Sequence, residues 1–200
     1  MKPRLYAILW ILLLAAGAAT ARGRPESPTP APARTPGSEL LPSNHAVFAK
    51  LSAAGFLVPT RDLPSTDFKL ELLGGGPTNL SSYRGSLVLL NFWATWCPSC
   101  REEIPSMEKL YSTLKKKGFV IVAVDLSESR DVVKSFVVAN SMTYPVLLDA
   151  SGDVGALYGA RTIPSTYIIG RDGRILGRTI GSRAWDAPEL VSLFESLLTG

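Results

Sequence analysis

Both cysteines of this 200-residue chain lie in one pentapeptide, 96–100 (WCPSC). The pentapeptide directly follows the apolar run 86–93 (SLVLLNFW), which is typical of a central strand covered on both faces. A helical pattern of apolar residues follows it over 102–117. The sequence therefore places two thiols where a buried strand passes into the first turn of a helix.

This position favours redox chemistry at Cys97. At a helix start the backbone N–H groups are unpaired and the end of the helix dipole is positive. Such an environment stabilises a thiolate and lowers a cysteine pKa from about 8.5 to roughly 3.5–7.5. The spacing of three residues places Cys100 one helical turn away, within disulfide reach. We therefore interpret Cys97 as an exposed nucleophile and Cys100 as the thiol that resolves a mixed disulfide.

Two other uses of the cysteine pair fit the sequence less well. A stabilising disulfide gains from a long closed loop, and only two residues separate these cysteines. A structural zinc site needs about four Cys or His ligands. The chain offers two cysteines and a single histidine, His45, near the start of the folded part. The sequence therefore predicts a redox-active disulfide at Cys97 and Cys100, with no metal and no cofactor.

The charge balance excludes a nucleic-acid binder that works by neutralising phosphates. The chain has 21 Lys and Arg residues and 17 Asp and Glu residues, which gives a net charge of +4. Two of the basic residues, Lys2 and Arg4, precede an N-terminal apolar run, and without them the balance is 19 to 17. A hydrophobic fraction of 46% also excludes a wholly disordered chain.

The first 21 residues predict export. Lys2 and Arg4 form a short basic region, 5–19 is apolar almost throughout, and 19–21 (ATA) suits signal peptidase. We interpret 1–21 as a cleaved signal peptide or as an uncleaved membrane anchor, although the apolar run is short of the about 20 residues that a span needs. Both interpretations place the remaining chain in the periplasm or another extracytoplasmic location.

A proline-rich segment separates this region from the folded domain. Residues 22–43 contain six prolines, and proline at that density favours an extended, semi-rigid chain. Residues 46–56 carry apolar side chains near helical spacing and predict a short helix. We therefore assign 22–58 to a linker with a short helix and 59–200 to one folded domain.

Strands and helices alternate in the folded domain, and a hairpin follows them. The predicted strands cover 68–72, 86–93, 119–126, 144–148, 166–170 and 174–180. The predicted helices cover 102–117, 130–140, 152–158 and a last segment that begins at Asp186, with Glu189 completing a capping box. Asp172-Gly173 is a strong hairpin signal. The pattern predicts an α/β fold with a mixed central sheet, helices on both faces, a closing β-hairpin and a C-terminal helix.

Residues 91–105 (NFWATWCPSCREEIP) closely resemble the exported, often membrane-anchored thioredoxin-like proteins of bacteria, the TlpA, ResA and CcmG group. The resemblance extends from about Asp67 to the C-terminus and includes 162–164 (TIP), which matches the cis-proline loop of that family. It implies a thioredoxin-like fold and thiol–disulfide oxidoreductase activity. It also implies that the Ile163–Pro164 bond is cis and faces the cysteines, so that the Ile163 backbone can bind an extended substrate segment.

Asn91 and Glu103 distinguish this motif from that of cytoplasmic thioredoxins. Those proteins carry an aspartate at the position of Asn91, whereas the exported group commonly has a neutral residue there and a glutamate at the position of Glu103. Glu103 lies three residues after Cys100 on the same helical face, next to apolar residues that indicate partial burial. We expect Glu103 to act as general acid and base for Cys100, with a solvated helix charge as the alternative.

Substrate-binding residues are expected on both sides of the disulfide: Trp96 and Pro98 next to Cys97, and Ile163 and Pro164 in the cis-proline loop. The resemblance implies that the protein reduces disulfides of protein substrates, for example those of apocytochrome c before haem attachment. It further implies a membrane thiol carrier as the electron donor and possible membrane attachment through the N-terminus.

Two functions of other classes stay open. A peroxiredoxin-type peroxidase would have a threonine three residues before its active cysteine, and Thr95 lies two before Cys97. A non-enzymatic copper carrier of related fold would have three residues between its cysteines and a distant histidine. Here two residues lie between them, and His45 is misplaced.

Overall fold

The computed structural model describes residues 42–199, so the predictions for 1–21 and for most of the proline-rich segment lie outside the described residues. Five α-helices form in the described range: α1 (Pro42–Ala53), α2 (Pro98–Leu114), α3 (Arg130–Ala139), α4 (Asp153–Leu157) and α5 (Pro188–Thr199). Seven strands form in the same range: β1 (Lys69–Leu72), β2 (Pro77–Asn79), β3 (Leu87–Trp93), β4 (Phe119–Leu126), β5 (Val146–Asp149), β6 (Ser165–Ile169) and β7 (Ile175–Ile180).

These strands form one mixed sheet in the order β2-β1-β5-β4-β3-β6-β7. β3, β4 and β5 are parallel neighbours, and the other pairings are antiparallel. Every residue of β3 is buried because this strand lies inside the sheet and is covered on both faces, as its apolar sequence predicts. β6 and β7 form the predicted closing hairpin.

Side chains of β3 alternate between two apolar cores, one on each face of the sheet. Leu89 belongs to the core that contains buried side chains of α1, α2, α3 and α5. Leu90 belongs to the core that contains Val154 of α4 and the ring of Tyr158. The prediction of helices on both faces of a mixed sheet is therefore confirmed.

Helix α2 carries the cysteine motif. It begins at Pro98, four residues before the predicted start, and proline suits the first turn because its missing N–H would have no partner there. A 3-10 turn, Lys115–Lys117, follows the helix and ends at Gly118, whose φ of 89° suits glycine. The apolar stripe predicted for α2 faces the core, with these members buried: Ile104, Met107, Leu110 and Leu114.

Both edges of the sheet are covered or short. The segment 57–64 runs along β7, where Leu57 exchanges two backbone hydrogen bonds of 2.8 Å with Arg178. At the opposite edge, β2 has only three residues and begins at Pro77, which has no N–H to donate. Neither edge of the described sheet therefore presents a long row of unpaired backbone groups.

Helix α1 lies earlier in the chain than the short helix predicted over 46–56, since it begins at Pro42 and ends at Ala53. Its Phe48 and Leu51 side chains are buried in the core that contains α2 and α5. The helix therefore packs on the sheet rather than extending from it. No helix among residues 42–199 has the length and apolar character needed to cross a membrane.

The predicted capping box before the last helix is wrong. Helix α5 begins at Pro188, and the carbonyl oxygen of Ala187 accepts the first helical hydrogen bonds. The Asp186 carboxylate instead accepts a hydrogen bond of 3.0 Å from the ammonium group of Lys109 on α2. An ion pair with a neighbouring helix therefore replaces the local cap that the sequence pattern predicts.

Candidate active site

Cys97 caps the N-terminus of α2. Its backbone is extended (φ −84°, ψ 110°), and its Sγ accepts a hydrogen bond of 3.2 Å from the N–H of Cys100. The sulfur therefore faces unpaired helix N–H groups and the positive end of the dipole, which stabilise a thiolate in the reduced protein. Cys97 and Cys100 are joined by a disulfide with their Cα atoms 5.3 Å apart, the pairing that the spacing predicts.

Cys97 is less accessible than predicted. The residue is only 4% exposed, whereas its neighbour Trp96 is 66% exposed and Pro98 is also exposed. The prediction of an exposed nucleophile is therefore wrong for the oxidised protein. The sulfur packs against the loop that precedes β6, where the carbonyl oxygen of Ile163 lies 3.9 Å away.

The loop of Ile163 and Pro164 contacts Cys97 on one side and the end of β7 on the other. The Ile163–Pro164 peptide bond is cis, which confirms the prediction. The carbonyl oxygen of Pro164 accepts a hydrogen bond of 2.8 Å from the N–H of Gly181, just after β7. Ser165 then enters β6, which pairs with β3, and β3 ends just before the cysteine motif. The sheet register therefore brings Ile163 and Cys97 together.

Glu103 lies one helical turn after Cys100 on α2, and its carboxylate accepts two hydrogen bonds. It is 2% exposed. Its Oε1 accepts a hydrogen bond of 2.9 Å from the side-chain amide of Asn91, and its Oε2 accepts one of 2.8 Å from the indole N–H of Trp185. The alternative of a solvated helix charge is therefore wrong for Glu103. It does describe the neighbouring Glu102, which is exposed.

Burial raises the pKa of Glu103 from 4.5 to about 7, even though the hydrogen bonds from Trp185 and Asn91 favour the ionised form. A carboxyl group with this pKa is present in both protonation states near neutral pH. It therefore has the property that a general acid and base requires at that pH. Glu103 also lines a surface cleft together with Ser106 and Arg183.

Asn91 links Glu103 to the cis-proline loop. Its amide nitrogen donates both to Glu103 and, at 2.9 Å, to the hydroxyl of Thr166. Thr166 lies two residues after Pro164, so one buried amide contacts both halves of the site. Sequence reasoning missed the contacts of Thr166 and Trp185 with this network, because Thr166 lies 75 residues from Asn91 and Trp185 lies 82 from Glu103.

A group of acidic side chains near Thr95 was also missed. Glu128, in the loop between β4 and α3, accepts hydrogen bonds of 2.6 Å from both the N–H and the hydroxyl of Thr95. Asp125 in β4 and Asp149 at the end of β5 are buried nearby. The signal that could have found them is that Asp125 and Glu128 lie at or just after the end of the predicted strand 119–126 and Asp149 just after 144–148, since parallel strands end at a common edge.

The sequence that forms this site matches a known family. Residues 62–177, which span more than half of the chain and include Cys97, Glu103 and Pro164, match the AhpC/TSA family. The chain belongs to the AhpC/TSA family. It is 35% identical over 117 residues to the thiol-disulfide oxidoreductase ResA of Bacillus thuringiensis subsp. konkukian, and this match covers 58% of the chain and 68% of that relative.

Solved structures share the fold. A candidate thiol:disulfide interchange protein DsbE from Chlorobium tepidum has a TM-score of 0.63 and 32% identity, covering 68% of this chain and 96% of the other. StoA from Bacillus subtilis has a TM-score of 0.56 and 26% identity, covering 64% and 96%. This member of the AhpC/TSA family is therefore a thiol–disulfide oxidoreductase with a thioredoxin-like fold, as the motif predicted.

Proposed function

We propose that this oxidoreductase uses Cys97 and Cys100 to reduce disulfides of protein substrates outside the cytoplasm. One observation carries the proposal: the helix-capping sulfur of Cys97 contacts the Ile163 backbone, and the buried, hydrogen-bonded Glu103 lies one turn after Cys100 on the same helix. A nucleophile, a backbone segment able to bind substrate and a proton acceptor are thus within one site.

The cysteines exchange two electrons with the substrate. The Cys97 thiolate attacks one sulfur of the substrate disulfide, and the other substrate sulfur leaves as a thiolate and takes a proton from solvent. Cys100 then gives its proton to Glu103 and attacks the Cys97 sulfur, which releases the second substrate sulfur. The substrate disulfide is reduced, and the Cys97–Cys100 dithiol is oxidised to the disulfide. A membrane thiol carrier returns the protein to its dithiol form by the same exchange.

Substrate binds across the surface around the disulfide. Trp96 and Pro98 are exposed on one side of Cys97, and Ile163 is partly buried on the other, followed by buried Pro164. An extended substrate segment can pair with the Ile163 backbone in the manner of an added strand, with its cysteine over Cys97. Such a site favours unfolded or flexible segments, and the resemblance to the TlpA, ResA and CcmG group points to apocytochrome c as one such substrate.

Trapping tests the substrate class. Cys100→Ser removes the resolving thiol, so the Cys97 mixed disulfide should persist and link substrate proteins to the variant. We expect adducts that a reductant releases and that contain proteins with cysteine pairs, identified by mass spectrometry.

The double variant Cys97→Ser/Cys100→Ser is the matched control and should form none of these adducts. Equal adducts from both variants, or none from either, would contradict the proposal. Peroxide consumption by the wild-type protein, with no trapped protein, would instead favour the peroxidase.

The extracytoplasmic location rests on the basic and apolar pattern of residues 1–21. Residues 1–60 fused to a reporter that is active only outside the cytoplasm should give a positive signal. The same fusion without 1–21 is the control and should be silent. A soluble, inactive product from both fusions would contradict the assignment. Fractionation of the active fusion between membrane and soluble material separates an anchor from a cleaved signal peptide.

A further inference from the structure

Asp125 is a fully buried acid whose carboxylate accepts no hydrogen bond. Its exposed fraction is 0%, and no N–H or O–H group of the described residues donates a hydrogen bond to either carboxyl oxygen. Its neighbours in the sheet register are Trp93 on β3 and Leu148 on β5, which carry no charge. An isolated buried carboxylate is strongly unfavourable, so this group requires a specific explanation.

The charged groups that act on Asp125 are Glu128, on the loop after β4, and Asp149, at the end of β5. Both are acids. The carboxyl groups of Asp125 and Glu128 lie within hydrogen-bonding reach of each other. Two ionised carboxylates are both acceptors and repel, and the contact becomes a hydrogen bond only when one of them holds a proton.

Glu128 is the hydrogen-bond acceptor of this pair. Its two oxygens accept short hydrogen bonds from the N–H and the hydroxyl of Thr95. Asp125 has no such donors and is more deeply buried. Burial, with the nearby Glu128, raises the pKa of Asp125 to about 8. The proton therefore resides on Asp125, whose O–H donates to Glu128.

We propose that Asp125 and Glu128 share one proton and act as positioning residues for the turn that carries Cys97. This inference rests on the proposed function, because its purpose is to place the nucleophile. The turn is short: the N–H of Cys97 donates to the carbonyl oxygen of Ala94 at 3.2 Å, and Thr95 lies between them. Two hydrogen bonds from Thr95 to Glu128 therefore orient the backbone that leads into the helix cap.

The shared proton makes this arrangement pH-dependent. When Asp125 ionises, its carboxylate repels that of Glu128, and Asp149 lies nearby. Because Glu128 accepts both hydrogen bonds from Thr95, this repulsion acts directly on them. The turn before Cys97 should then loosen. The effect is distinct from titration of Glu103, which contacts a different set of side chains.

Nuclear magnetic resonance of the oxidised full chain tests the proposal without substrate. The side-chain carboxyl carbon of Asp125 and the amide proton of Thr95 are followed across about pH 6 to 10. We expect Asp125 to be protonated at neutral pH and both signals to share one midpoint. In Asp125→Asn the Thr95 amide signal should no longer change across this pH range. In Glu128→Gln the titration midpoint of Asp125 should move to lower pH, because the neighbouring negative charge is removed.

Asp131→Asn, which changes an exposed acid on α3, is the control and should leave both titrations as in the wild type. An ionised Asp125 at neutral pH would overturn the proposal, as would a Thr95 amide that does not follow it. Should Glu128→Gln fail to fold, the wild type and Asp125→Asn still decide between these outcomes. Because no substrate is present, failure here is distinguishable from failure of the trapping experiment.

Discussion

Replacing Glu103 by glutamine should slow disulfide reduction by roughly a hundredfold, which is the lower end of the contribution of a positioned acid–base group. The glutamine amide cannot take the proton that Cys100 must lose, and Asn91 beside it cannot do so either. The change also removes a negative charge near both sulfurs. The thiols of the variant should therefore be alkylated from lower pH than those of the wild type.

Glu102→Gln is the matched control, because Glu102 is the exposed neighbour on the same helix. Its reduction rate and its pH profile of thiol alkylation should equal those of the wild type. Both profiles are measured with the same alkylating reagent, and reduction is followed with one disulfide-bonded protein substrate. If the Glu103 and Glu102 variants gave the same rates and titrations, the acid–base role of Glu103 would be excluded.

The free energy of unfolding should fall by about 3 kcal/mol through ionisation of Glu103 alone, since each pKa unit is worth about 1.4 kcal/mol. Burial raises the pKa of this carboxyl from 4.5 to about 7. Between these values the folded state binds more protons than the unfolded state, so stability decreases as pH rises. The contribution is fully present below the unfolded pKa and is lost once the pH has passed the folded one.

Urea unfolding of the oxidised protein at several pH values measures this loss. Asp125 contributes a decrease of the same sign, so the informative quantity is the difference between the wild type and Glu103→Gln. The variant should show a flatter profile across the titration of Glu103. Its stability at low pH should be lower by about 1 kcal/mol, because its amide cannot accept from both Asn91 and Trp185. Parallel profiles for the two proteins would show that Glu103 is not desolvated.

The elements of the fold that depend on local pattern were predictable. The apolar run before the motif predicts β3, and the three-residue spacing of the cysteines predicts their pairing across the first turn of α2. The last helix was predicted, but its cap was not, because Asp186 pairs with Lys109 on another helix. A capping pattern records what a residue can do locally, and a distant partner can compete for the same carboxylate.

The polar contacts of the site were mostly beyond prediction. Glu103 could be proposed as a buried acid from its place on α2, but its indole donor comes from the segment before α5. The two hydrogen bonds from Thr95 to Glu128 likewise depend on β3 and β4 ending side by side. The burial of Cys97 under the loop of Ile163 has the same origin. Such contacts are fixed by sheet order and register, which a single sequence does not specify.

The covered edge of β7 and the short β2, which begins with a proline, affect how extended substrate segments can bind to this protein. Under the proposed function the protein binds extended substrate segments, and an open edge strand is a template on which such segments aggregate. Leu57 already occupies the backbone groups of Arg178, and β2 offers three residues with one donor missing. A substrate chain therefore cannot readily pair with either edge of the sheet. Under the proposed function it pairs with the Ile163 backbone instead and is released when its disulfide is reduced.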